Sequence, residues 1–120
     1  MNSFFTQTII VETRHTAEYL GSGFLPVFST PAMIALMENT AIKCLPDLPE
    51  ENSSVGISIN VNHLKASPVG AIIHCRAEVT AIEGRRYTFL VRVTDDGDNL
   101  IGEGTHERIV VNVEKFMSKI

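Results

Sequence analysis

Residues 30–45 constrain the fold more than any other stretch, because they carry a helical pattern that is apolar nearly all round. Thr30 or Ser29 can serve as N-cap, and Pro31 suits the first helical position, where no amide hydrogen is required. Pro46 and Pro49 stop the helix. At about 100° per residue, Ile34, Ala35, Glu38, Ala41, Ile42 and Leu45 share one face. A carboxylate in the middle of such a stripe needs a partner or a chemical task, since burying an unpaired charge is costly.

The rest of the chain supplies strands to surround this helix. Residues 6–11 read as a first strand, and a loop over 20–26, rich in turn formers, leaves Phe24 exposed to whatever lies beside it. From Val55 the apolar period changes from the helical value to two. Val55, Ile57, Ile59, Val61 and His63 face one side, opposite Gly56, Ser58, Asn60 and Asn62. Ile73, Cys75, Ala77, Val79 and Ala81 repeat the alternation, as do Tyr87, Phe89, Val91 and Val93. Residues 65–70, 83–85 and 95–98 are turn chemistry, and a last strand covers roughly 101–113.

Short turns imply antiparallel neighbours, and alternation implies one buried face. One sheet covers only one side of a helix. The expected fold is therefore α+β: a curved antiparallel β-sheet wrapped around one long central α-helix. Loops or a second subunit cover the remaining apolar helix surface, so a homodimer is expected.

A length of 120 residues gives one domain, 1–120. The net charge of −4 and the lack of a basic stripe argue against nucleic acid as a partner. No apolar run reaches the roughly 18 residues of a membrane span, and the N-terminal residues lack the layout of a secretion signal. Cys44 and Cys75 sit in apolar contexts and read as buried, reduced thiols, so a cytoplasmic location is expected.

His63 continues the apolar register of its strand and should point toward the helix. One reading is a core or interface histidine with a nitrogen satisfied by a backbone carbonyl. The other is a histidine–carboxylate pair with Glu38, in which the carboxylate fixes the tautomer and stabilises imidazolium. Thr30 precedes Glu38 by eight residues, roughly 12 Å along a helix, so a histidine could bridge a hydroxyl on one side and a carboxylate on the other. Alone, Thr30 reads as an ordinary N-cap. The amides at the helix N-terminus offer a place for a developing oxyanion.

The other histidines are weaker candidates. His74 falls on the polar side of its strand, His15 lies in an unassigned segment, and His106 sits among charged residues in a supporting role. The four histidines and two cysteines make no compact metal-ligand spacing, and neither a phosphate loop nor a nucleophile elbow is present. Gly102 and Gly104 mark a bulge or a close approach within the last strand.

Taken together, several blocks resemble the fluoroacetyl-CoA thioesterase-like family of the hotdog fold. They are residues 27–38, 54–64, 66–70, 83–86 and 101–108, continuing to 114–116, in order across about 24–116. The resemblance implies a hotdog, in which a long helix is wrapped by an antiparallel sheet, working as a dimer with sites at the subunit interface. Its catalytic threonine, glutamate and histidine fall on Thr30, Glu38 and His63. Its strand glycine near the acyl group falls on Gly56, and an aromatic gate over the acyl pocket falls on Phe24. The loop around that aromatic, Gly21 to Gly23, departs from the best-known member, so no preference for a fluorinated acyl group is implied.

The expected activity is hydrolysis of a small-molecule acyl-CoA thioester to a carboxylic acid and free CoA. His63 is the base or proton shuttle, Glu38 its orienting carboxylate, and Thr30 the nucleophile or the residue that positions water. Gly56 and the helix amides polarise the carbonyl. No metal and no cofactor are expected, CoA entering only as part of the substrate. The alternative is a non-catalytic hotdog protein that binds an acyl-CoA or related ligand. Pairing of dimers into tetramers is left open.

Overall fold

The computed structural model describes residues 3–120. Five strands form one antiparallel sheet: β1 (Phe4–Ile10), β2 (Asn52–His63), β3 (Ile72–Glu83), β4 (Arg86–Asp95) and β5 (Leu100–Asn112). Their order across the sheet is β1-β3-β4-β5-β2. Three helices accompany them: a short α1 (Ala17–Leu20), the central α2 (Thr30–Ile42) and a C-terminal α3 (Val113–Met117). No helix is long and apolar enough to cross a membrane among the described residues.

The sheet curls around α2, as the alternating strands require. Met33, Leu36, Met37, Thr40 and Ala41 form the buried stripe of α2, the spacing of one helical face. Against it lie Ile73, Cys75 and Ala77 of β3 with Phe89, Val91 and Val93 of β4, all fully buried and all on the predicted inner face. Phe5 and Ile9 of β1 pack at the margin of this cluster.

Four details differ from the sequence reading. The first strand is Phe4–Ile10 rather than 6–11, and α2 ends at Ile42, three residues short of Leu45. Lys43 caps it, and the chain closes with the Cys44 amide donating to the Ala41 carbonyl. The segment 64–71 is a crossover rather than a hairpin turn, because β2 pairs with β5 while β3 pairs with β1 and β4. It is pinned where it passes Phe28, whose amide donates to the Ser67 carbonyl at 2.8 Å.

The fourth difference lies in β2. Its register against β5 shifts between Gly56 and Ser58, a bulge at Ile57. The bulge reverses the sides: Ile57 is turned out and exposed, whereas a Cβ on Gly56 would meet Glu38 Oε2 at 2.9 Å. Gly56 therefore faces the helix, contrary to strict alternation. In β5, Gly102 makes room for Met33, whose Sδ would lie 2.5 Å from an added Cβ, and Gly104 lets the Asn60 backbone approach. This is the close approach that the two glycines suggested.

Candidate active site

The residues singled out from sequence form two separate polar clusters along α2. The first is at its N-terminus. Ser29, not Thr30, is the N-cap, its hydroxyl accepting from the Ala32 amide at 3.1 Å. That leaves the Thr30 hydroxyl available, and it lies 2.9 Å from His63 Nδ1 at the end of β2. Phe28 holds the imidazole edge-on, with centroids 6.1 Å apart. Burial pushes the His63 pKa below its ordinary value, with the Lys65 backbone working against that shift. A neutral imidazole can accept a proton. His63 Nε2 is buried and makes no hydrogen bond among the described residues.

Thr30 and His63 line a cleft of about 390 Å³ together with Ala17, Ser22, Phe28 and Leu64. The oxyanion role expected of the helix amides narrows here. Pro31 has no amide hydrogen, and the Ala32 and Met33 amides are taken by the Ser29 side chain and carbonyl. Among the described residues, the Thr30 amide is the donor in this turn with no such bond.

The second cluster surrounds Glu38, apart from His63 of the same chain. Glu38 makes no hydrogen bond or ion pair with His63 in the chain; its Oε2 faces Arg108 Nη1 at 3.7 Å. The helix face that carries Glu38 is not covered by the sheet. Ala35 and Ile42 on it are exposed, and the Glu38 side chain is 41 % exposed against 7 % for Arg108. Thr30 and Glu38 thus stand at two places on one helix, as their spacing requires.

Arg108 and His106 were not identified as functional from the sequence. They occupy alternate positions of β5, both buried on the inner face, in register with Gly56 and Ile59 of β2. His106 stacks on Phe89 and lies 2.8 Å from the Ser58 carbonyl through Nδ1. A carbonyl only accepts, so Nδ1 carries the proton and Nε2 accepts from Arg108 Nη1 at 3.2 Å. Burial, chiefly, holds the His106 pKa below its ordinary value and keeps the ring neutral. Arg108 also donates from Nε to Ser54 Oγ at 2.9 Å and from Nη2 to the Ser54 carbonyl at 3.2 Å. A period of two counted back from buried Val110 lands on Arg108 and His106, a signal the sequence did contain.

Phe24 projects from the loop after α1 and is 95 % exposed, next to the cleft-lining Ser22 but touching neither polar cluster. His74 is held on the outer face of the sheet by Thr8 and Asp96, at 2.8 and 3.0 Å. Both cysteines are buried and free, and burial pushes the Cys75 thiol up to about 11. Among the described residues, no group of three or more His, Cys, Asp or Glu side chains is arranged to hold a metal ion.

Comparison with known proteins places this geometry. The family model for fluoroacetyl-CoA-specific thioesterases matches residues 11–114. The chain is 36% identical to the fluoroacetyl-CoA thioesterase of Streptantibioticus cattleyicolor, over 97% of this chain and 88% of that protein. Its fold superposes on a solved structure of a fluoroacetyl-CoA thioesterase with a TM-score of 0.92, at 35% identity, covering 99% of this chain and 93% of that one. A hot-dog-like protein from Thermanaerovibrio acidaminovorans shares the fold at 23% identity and a TM-score of 0.88, over 98% and 87% of the two chains.

Proposed function

Since the chain belongs to the fluoroacetyl-CoA-specific thioesterase family, we propose that it hydrolyses an acyl-CoA thioester to a carboxylate and free CoA at the Thr30–His63 pair. The observation that carries this reading is the 2.9 Å contact between Thr30 Oγ1 and His63 Nδ1 at the mouth of a cleft. His63 Nδ1 takes the Thr30 proton as the hydroxyl oxygen attacks the thioester carbonyl carbon. The carbonyl oxygen gains the negative charge and is received by the Thr30 amide. When the C–S bond breaks, Nδ1 returns the proton to the departing CoA sulfur. Water, activated by the same nitrogen, then releases the acid from Thr30. Nε2 is sealed within the chain, which favours Nδ1 as the working nitrogen and Thr30 as the group it deprotonates.

With Nδ1 accepting, Nε2 carries the proton. Among the described residues no hydrogen bond reaches the Glu38 carboxylate, which lies on an uncovered helix face. β2 is an edge strand, open along its outer side to pairing with a second copy. The homodimer then holds two sites, each with Thr30 and His63 from one subunit and Glu38 and Gly56 from the other. Phe24 borders the acyl end of the cleft. No metal or cofactor enters this chemistry, and a cytoplasmic location accords with two free, buried thiols.

Thiol release from a panel of acyl-CoAs, short to long and aromatic, tests the reading with wild type and His63→Ala side by side. The variant should lose about 10²- to 10⁴-fold in kcat while keeping its thermal midpoint. Undiminished turnover by the variant, or no thiol from any substrate with wild type, would overturn the proposal.

A further inference from the structure

His63 is the last residue of β2, paired with Gly102 of β5, so its imidazole is aimed from the point where the chain leaves the sheet. Beyond it the Ile101 carbonyl alone continues the backbone pairing, taking the Leu64 amide at 2.7 Å and the Lys65 amide at 3.3 Å. Leu64 is exposed and adds little packing. The next side chain ties the start of the 64–71 crossover down. Lys65 Nζ donates to Asp95 Oδ2 at 2.8 Å, in the turn between β4 and β5. That acceptor is set in advance. Asp95 Oδ1 takes the Gly97 amide, the Asn99 amide and Asn99 Nδ2 at 2.9, 3.0 and 3.1 Å. The Lys65 ammonium first, and these donors after it, hold the Asp95 carboxyl well below the usual carboxylate range. Burial lowers the His63 pKa and the Lys65 backbone opposes that shift, so the tied residue itself borders the imidazole. Lys65 and His63 line the same cleft.

An exposed ion pair stabilises a fold little, because water and salt screen it. Two residues from the base, the same pair has another consequence, since a displacement of about 1 Å in a reacting group costs about 10²-fold in rate.

We propose that Lys65, through its ion pair with Asp95, is a positioning residue for His63, strapping the crossover to the β4–β5 turn so that the imidazole stays aimed at Thr30; the proposal rests on the hydrolase reading above. Lys65 acts through His63, so its contribution is present only when residue 63 is a histidine.

Kinetics on the full-length protein test this, with kcat and KM for the best acyl-CoA substrate and a thermal melt of each variant. Lys65→Met keeps the stem and removes the charge, and should lower kcat about fivefold or more with KM changed less than about twofold. Asp95→Asn should give the same loss, because an amide oxygen still accepts from the turn, and the double variant should lose no more than either alone. Lys65→Arg reaches the same carboxylate and should restore kcat to within about twofold. In a His63→Ala background, Lys65→Met should change the residual turnover less than about twofold. Unchanged kcat in Lys65→Met would overturn the proposal, as would an equal loss in the His63→Ala background. So would a rise in KM for the acyl-CoA that the N-acetylcysteamine thioester of the same acyl group does not share, the mark of a lysine that binds CoA phosphate instead. If Lys65→Met does not fold, Asp95→Asn in the same two backgrounds decides by the same criteria. Absence of thiol release from wild type with every acyl-CoA would instead strike the hydrolase reading, so the two failures are distinguishable.

Discussion

The two polar clusters along α2 are built on opposite principles. At the helix N-terminus, Thr30 and His63 make a single mutual contact and open onto a cleft. Eight residues later, Arg108 and His106 are buried and hydrogen-bonded, and the carboxylate that Arg108 faces is partly exposed. An open pair can exchange a proton with a substrate. The second cluster is an anchored charge beside Gly56. The difference teaches that one helix carries two unlike polar clusters, one opening onto a cleft and the other ending in a carboxylate on an uncovered face.

Substitutions should separate the halves. Thr30→Ala should cost about 10²-fold or more in kcat yet change stability by no more than about 0.5 kcal/mol, because Thr30 is exposed and Ser29 does the capping. Steady-state kinetics with a thermal melt checks both numbers. In the sealed half the order of effects reverses toward stability. His106→Leu should cost about 1–3 kcal/mol in a denaturant titration, by leaving a buried guanidinium donor unsatisfied. Ser29→Ala removes the cap beneath the reactive half and should cost about 1 kcal/mol, with kcat nearly intact.

The smallest effect is that of pH. His63 and His106 both have pKa values lowered by burial from 6.5, as does His15. The unfolded chain therefore binds protons at a higher pH than the folded one. The stability these groups contribute is complete above 6.5 and is lost as pH falls from there through the lowered folded values. Melts between neutral and mildly acidic pH should show this loss, and His106→Gln should flatten part of it. The acid limb of kcat/KM should also fall below pH 6.5, since neutral His63 is the base.

The apolar half of the fold was legible because its periodicity is unbroken. Cys75 and Ala77, with Phe89, Val91 and Val93, alternate without interruption and all lie fully buried against α2. The functional half was legible only in part. Thr30, Glu38 and His63 stood out as polar residues in apolar settings, and the blocks around them carried the family resemblance. Within the chain Glu38 meets Arg108, and the spacing along α2 carries no sign of which subunit supplies each residue of a shared site. The face of Gly56 was misread because one bulged residue, Ile57, reverses the alternation, and a bulge leaves no mark in apolar spacing. His106 and Arg108 were passed over because charged residues ordinarily face solvent, and here the polar groups of Ser54 and Ser58 make their burial tolerable.

The most direct test of a site shared between two copies is subunit mixing. His63→Ala and Glu38→Gln variants, each nearly inactive alone, are unfolded together, refolded as a mixture and assayed for thiol release. If Thr30 and His63 come from one subunit and Glu38 from the other, half of the dimers regain one intact site, and the mixture should recover about a quarter of wild-type activity. Mixed dimers that form and stay inactive would contradict the account.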